Sequence, residues 1–270
     1  METNLTVIMP ILTLDEKEKD LFANAVKSIE DQKVGVDKLL IVVPKDSEAK
    51  KTLDSYDFSD EIKSITTVLE NEGDTDFSTQ VNLGVENCKT EWFSILEVDD
   101  IYSSIWFDNF IEYREHYQNV DLFLPIVLDV NDENQFLHFS NEPVWARDFS
   151  EKMGYVDYDS LLNFPNFQVC GSIIKTEAFN SVGGLKSSVK MFFNYEFLLR
   201  MSYYDMTMMT IPKIGYKKYN MRENSLFWKY KNDKEYFMDP LESKFWYNTS
   251  KKECYFKNDR GIKYAGENVE

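Results

Sequence analysis

Cysteine is scarce. Cys88, Cys170 and Cys254 are an odd number at wide spacing, so neither a disulfide framework nor a cysteine-rich zinc site can be drawn from them. Histidine is scarcer still, and His116 and His138 have no partner at ligand spacing. Basic residues are also short: 30 Lys and Arg face 47 Asp and Glu, a net charge of −17 that repels a polyanion, so nucleic acid is an unlikely partner. No stretch approaches the roughly 18 apolar residues of a membrane span, and the first residues lack a basic segment followed by an apolar one. The expectation is a soluble, cytoplasmic protein without an integral membrane segment. Internal repeats and low-complexity tracts are missing too.

What is present is a large core. With 270 residues, 43% apolar and 15% aromatic, the chain buries enough surface to fold without cross-links. Charge divides it: residues 229–270 carry nine basic and eight acidic side chains, whereas residues 1–228 sum to −18. This predicts a main domain over 1–225 and an aromatic, charged appendage over 226–270, with Trp228, Tyr230, Phe237 and Trp246 among its rings.

Within the main domain, short apolar runs alternate with helical patterns, the form of strands and helices in a doubly covered sheet. Residues 5–12 and 38–43 read as buried strands. Thr13 and Glu16 have the spacing of a capping box for a helix carrying Leu21, Phe22, Ala25, Val26 and Ile29 on one face. Further strands are predicted at 62–69, 92–96, 121–130, 168–175 and 206–211, and helices at 77–88, 104–117, 176–182 and 195–204. Residues 131–165 are aromatic, acidic and poorly periodic, so they read as loops and short elements. Their rings, Phe136, Phe139, Trp145, Tyr155 and Tyr158, suit either core packing or stacking on sugar faces.

One acidic run stands at a strand's carboxyl end. Glu97-Val98-Asp99-Asp100 follows the strand at 92–96, on the edge of a parallel sheet where ligands bind. Neighbouring carboxylates there can grip a hard divalent ion, which in turn neutralises a diphosphate. The bland alternative is a solvated turn in which an Asp caps the next helix.

Order and spacing extend this reading. The opening strand ending in Pro10, the run Leu40-Ile-Val-Val43, Ser78-Thr-Gln-Val-Asn82-Leu-Gly84, Trp92 through Asp99-Asp100, Cys170-Gly-Ser-Ile-Ile-Lys175, Gly183-Gly184 and the helix from Tyr195 to Arg200 follow one another. That series resembles the family 2 glycosyltransferases of GT-A fold. The resemblance implies a Rossmann-like α/β domain with a mixed, mostly parallel sheet flanked by helices. Its first half, 1–100, would bind a nucleoside-diphosphate sugar, a UDP-sugar being favoured, and its second, 101–225, would shape the pocket of a glycan or other hydroxyl acceptor. It further implies transfer with inversion, assisted by Mn²⁺ or Mg²⁺. By the same resemblance Asp99 and Asp100 are the metal ligands, Glu97 faces the ribose, and Pro10, Leu12, Asp46 and Asn82 line the donor side.

Departures from the family pattern carry their own expectations. Pro44-Lys45 occupies the place of an aspartate after the second strand, with Asp46 slightly later. The family's Glu-Asp pair falls on Phe193-Asn194, and an amide cannot accept a proton, so Glu196 becomes the candidate base with Asp157 and Asp159 behind it. Arg222 stands where the family often has a histidine, and it suits phosphate rather than metal. The rival expectation is a catalytically inactive GT-A domain that binds a sugar nucleotide or glycan, or serves in assembly. A nucleotidyltransferase would need a glycine-rich, basic loop after the first strand, and Thr13-Leu-Asp-Glu-Lys17 is not one. Five arginines against 25 lysines point to an AT-rich genome, such as that of a phage or low-GC bacterium.

Overall fold

A computed structural model describes residues 3–15, 18–73, 75–142, 154–163, 166–190, 192–220, 247–248, 253–258 and 261–265. Its centre is a ten-stranded mixed sheet. Strand β1 (Leu5–Pro10), every residue of it buried, pairs in parallel with β2 (Lys38–Pro44) on one side and β4 (Trp92–Ile95) on the other, and β3 (Thr66–Asn71) extends the β2 side. Near-continuous apolar runs form β1, β2 and β4 because both faces are covered.

Beyond β4 lie antiparallel β9 (Ile173–Lys175), then β6 (Leu122–Val130), β10 (Met208–Tyr219) and the short β5 (Ile101–Tyr102). β10 runs parallel to β6, so β1 to β4, β6 and β10 all end on one edge. β7 (Phe136–Ser140) hairpins onto β6, and β8 (Tyr155–Val156) pairs with β10. Strand order reverses at β1, between β2 and β4, which places a ligand crevice beside the end of β4.

Helices α1 (Lys19–Glu30), α2 (Glu48–Asp54), α3 (Asp60–Ile65), α4 (Phe77–Glu86) and α5 (Trp106–His116) accompany the first half; α6 (Tyr158–Asn163), α7 (Thr176–Ser181) and α8 (Phe193–Tyr203) accompany the second. α4 is capped by Asp76, whose Oδ1 accepts from Thr79 N at 2.9 Å, and its Val81 and Val85 are buried as their spacing predicts. Gly84 lets α4 lie directly on β1, because a Cβ there would come within 2.5 Å of Ile8 Cγ2. A separate three-stranded antiparallel sheet contains β11 (Tyr247–Asn248), β12 (Glu253–Asn258) and β13 (Gly261–Ala265).

Three local expectations are corrected. The box before α1 forms two residues later than Thr13 and Glu16 would have it: Asp15 N donates to Glu18 Oε2 at 3.0 Å and Glu18 N to Asp15 Oδ1 at 3.1 Å. The strand expected over 62–69 begins only at Thr66, since Ser59 Oγ caps α3 by accepting from Ile62 N. The strand expected over 168–175 is confined to Ile173–Lys175, since the chain turns at Cys170 and Gly171 before entering it.

Candidate active site at the carboxyl edge of the sheet

β4 delivers the acidic run to the crevice. After Leu96, whose N–H still donates to Ile8 O at 3.0 Å, a tight turn closes with Asp100 N donating to Glu97 O at 3.2 Å. Glu97, Asp99 and Asp100 each offer a carboxylate oxygen, and these oxygens lie within 4.8 Å of one another. Asp100 is 1% exposed: its Oδ1 accepts from Tyr219 N at 2.9 Å, while its Oδ2 is buried with no hydrogen-bond partner. Burial, then the charges of Asp99 and Glu97, push its pKa well above the ordinary carboxylate range. An unpartnered, buried carboxylate oxygen facing two further carboxylates fits a hard divalent cation.

β10 closes the cluster. Tyr216 accepts a hydrogen bond at Oη from Glu97 N, 3.1 Å, and Lys218, two residues on and so on the same face, brings Nζ to 3.9 Å from Glu97 Oε1 and 2.9 Å from Gln168 Oε1. Burial works to lower the Lys218 pKa, but the carboxylates facing it, Glu97 foremost, outweigh it and hold the ammonium above its usual value. Burial, reinforced by Glu97, raises the Cys170 thiol, so it stays protonated. Gly171 follows at φ +78°, where a Cβ would lie 2.4 Å from the Tyr216 ring. Gly171→Ala is therefore expected to cost about 2 kcal/mol or more through backbone strain and displacement of that ring; a thermal midpoint equal to wild type would refute it.

Residues 6–264 match the family described as Glycosyltransferase like family 2. The chain belongs to this family. S. aureus TarS is among the similar solved structures: its residues 1–349 in complex with UDP-GlcNAc superpose with a TM-score of 0.60 at 12% identity, over 84% of this chain and 61% of that one. The UDP complex of the same fragment gives 0.58 at 13% identity over 85% and 63%, and whole TarS gives 0.57 at 11% over 85% and 38%. The likeness shows a GT-A fold, and the chain spans less than two thirds of those TarS chains. No curated protein matches the sequence.

In this family member the other expected site residues are dispersed. Pro10 ends β1, buried, and Leu12 is half-buried against the core. Asp46 is exposed in the turn after β2 at φ +55°. Asn82 is engaged at both ends of its amide: Nδ2 donates to Leu185 O at 2.8 Å and Oδ1 accepts from Leu185 N at 2.9 Å, pinning α4 to the Gly183-Gly184 turn. Asn194 Oδ1 accepts from Val169 N at 3.4 Å.

The expected base is placed otherwise than its sequence position suggests. Glu196 is 3% exposed, with Oε1 and Oε2 receiving Arg200 Nε at 2.8 Å and Nη2 at 2.9 Å. Arg200, 1% exposed, also donates to Val182 O and Gly184 O. Asp157 caps α6 through Ser160 N at 2.8 Å. Arg222, Trp145 and the Asp159 side chain lie outside the described residues.

Two groups had escaped the sequence reading. Lys218 is one. The other is Asp129, buried at the end of β6, which accepts from Ser140 Oγ at 2.6 Å and from Asn220 Nδ2, with His138 Nε2 3.7 Å away. Strands were expected over 121–130 and 206–211, but β10 continues to Tyr219, and neither that extension nor the register that sets Asp129 opposite Lys218 was legible. Of the aromatic candidates, Tyr155 and Tyr158 pack on the core, while Phe136 is 57% exposed with its ring 4.9 Å from that of Phe139.

Proposed function

We propose that the protein transfers a sugar from a nucleoside-diphosphate sugar, with UDP as the nucleotide, to a hydroxyl acceptor with inversion at the anomeric carbon. The observation that carries this reading is the carboxylate trio at the switch point, together with the buried Asp100 Oδ2 that has no hydrogen-bond partner. Asp99 and Asp100 would hold Mn²⁺ or Mg²⁺, with Glu97 toward the ribose. Bound there, such an ion supplies electrophilic stabilisation to the leaving diphosphate. The family and the UDP and UDP-GlcNAc complexes of TarS support the donor class.

In the reaction, the acceptor oxygen forms the new bond to the anomeric carbon as the bond to the diphosphate breaks with its electron pair. The acceptor's proton goes to a base. We assign Glu196 to structure and not to that step, because both its oxygens are bound by Arg200 away from solvent. Residues 1–100 form the donor half, 101–225 the acceptor half and 226–270 the appendage in this reading, and the setting is cytoplasmic. Among the described residues no helix is long and apolar enough to cross a membrane. The charge of −17 favours a glycan, lipid-linked sugar or protein acceptor over nucleic acid.

A second reading has its own support. Asn194 stands in place of an acid and is bonded to backbone, and Glu196 is sequestered, which suits a module that binds a sugar nucleotide without transferring it. Thermal-shift measurements across nucleoside diphosphates and their sugars, with and without Mn²⁺, test the shared claim: UDP is expected to raise the midpoint and chelation to cancel the gain. A flat response across the panel sinks both readings. Slow hydrolysis of the stabilising donor, abolished in Asp99→Ala, then favours the enzyme, and binding without turnover favours the module.

A further inference from the structure

Lys218 is an unusual lysine for a protein so acidic. Its neighbour Lys217 lies on the opposite face of β10 with Nζ 5.0 Å from the Tyr219 ring centroid, whereas the Lys218 side chain is only 23% exposed and reaches into the carboxylate cluster. Gln168, 8% exposed, accepts from Nζ at 2.9 Å and fixes it there. Glu97 at 3.9 Å is within ion-pairing reach but beyond a hydrogen bond, so the ammonium keeps donor capacity on the crevice side.

Charge counting shows what this position can do. Fully ionised, the three carboxylates and Lys218 sum to −2, which one divalent cation cancels. Without Lys218 the same cation leaves −1 facing an anionic diphosphate. The lysine thus removes the excess negative charge that would otherwise repel a nucleotide from the loaded cluster. As an existing ammonium it cannot serve as the base, and it is placed instead to neutralise charge developing on a departing phosphate oxygen.

We propose that Lys218, positioned by Gln168, is a donor-phosphate clamp: its Nζ binds the diphosphate of the nucleotide sugar and stabilises the nucleoside diphosphate as it leaves. This rests on the donor reading above. It gives the site a cation of its own beside any metal, from a residue outside the acidic run.

Calorimetric titration of the full chain tests it, with UDP and Mn²⁺ as probes. Lys218→Met is expected to bind UDP at least tenfold more weakly than wild type, both in Mn²⁺ and in EDTA, while binding Mn²⁺ alone as tightly or more tightly. Lys218→Arg should recover most of the UDP affinity. Lys218→Gln replaces the methionine variant should that one not fold. Unchanged UDP affinity with tighter Mn²⁺ binding would overturn the proposal, since the ammonium would then merely balance the carboxylates. If the wild type itself binds no UDP with Mn²⁺ present, the donor reading fails and takes the clamp with it.

Discussion

Replacing Asp100 by Asn is expected to abolish metal-dependent donor binding and lower any transfer by about 100-fold or more, while removing a pH-dependent weakness of the metal-free fold. The carboxyl is 1% exposed, bonded on one oxygen to Tyr219 N and on the other to nothing. Its pKa is raised, chiefly by burial. Below the ordinary carboxylate range it is neutral in folded and unfolded chains alike. As pH climbs from there, the unfolded chain releases the proton while the folded chain keeps it, so folding stability drains away until the raised pKa is passed. Urea unfolding of metal-free protein across this pH window should show the loss in wild type relative to Asp100→Asn, and saturating Mn²⁺ should reverse it in wild type alone. Parallel pH profiles for the two proteins would refute the assignment.

Arg200→Leu is expected to cost about 3–5 kcal/mol, because it leaves the Glu196 carboxylate buried without its counter-ion. It also strips donors from Val182 O and Gly184 O, the carbonyls that hold the Gly183-Gly184 turn against α8. Chemical denaturation measures the cost. Glu196→Gln should lower stability too, with donor affinity and turnover per folded molecule close to wild type. Should Glu196→Gln instead unfold like wild type and lose catalysis 100-fold, Glu196 would be the base after all.

The sequence showed most where one face or one end of an element decides its structure. β1, β2 and β4 were legible because strands covered on both faces need unbroken apolar runs, and α4 because Val81 and Val85 recur at helical spacing on its buried face. The acidic trio was legible from its place after β4. Short elements were not: α3 owes its six residues to one serine cap, a signal that the β-branched run beside it outweighs. Glu196 and Arg200 stand four apart, a spacing visible in the sequence, but only the packed helix shows that the pair is buried. Lys218 was invisible for a different reason. Glu97, Gln168 and Asp129 come to it from three distant segments, and only the assembled sheet brings them together.

The hydrogen bond from Tyr219 N to Asp100 Oδ1 joins residues 119 positions apart. During synthesis on the ribosome, the acidic turn emerges long before the strand that anchors it, so a nascent chain stalled near residue 150 carries the carboxylates without their tether. The carboxylate cluster is therefore completed late in the life of the growing polypeptide. The acidic turn gains its anchor only when β10, the last strand of the main sheet, adds beside β6 and brings β5 into the sheet with it.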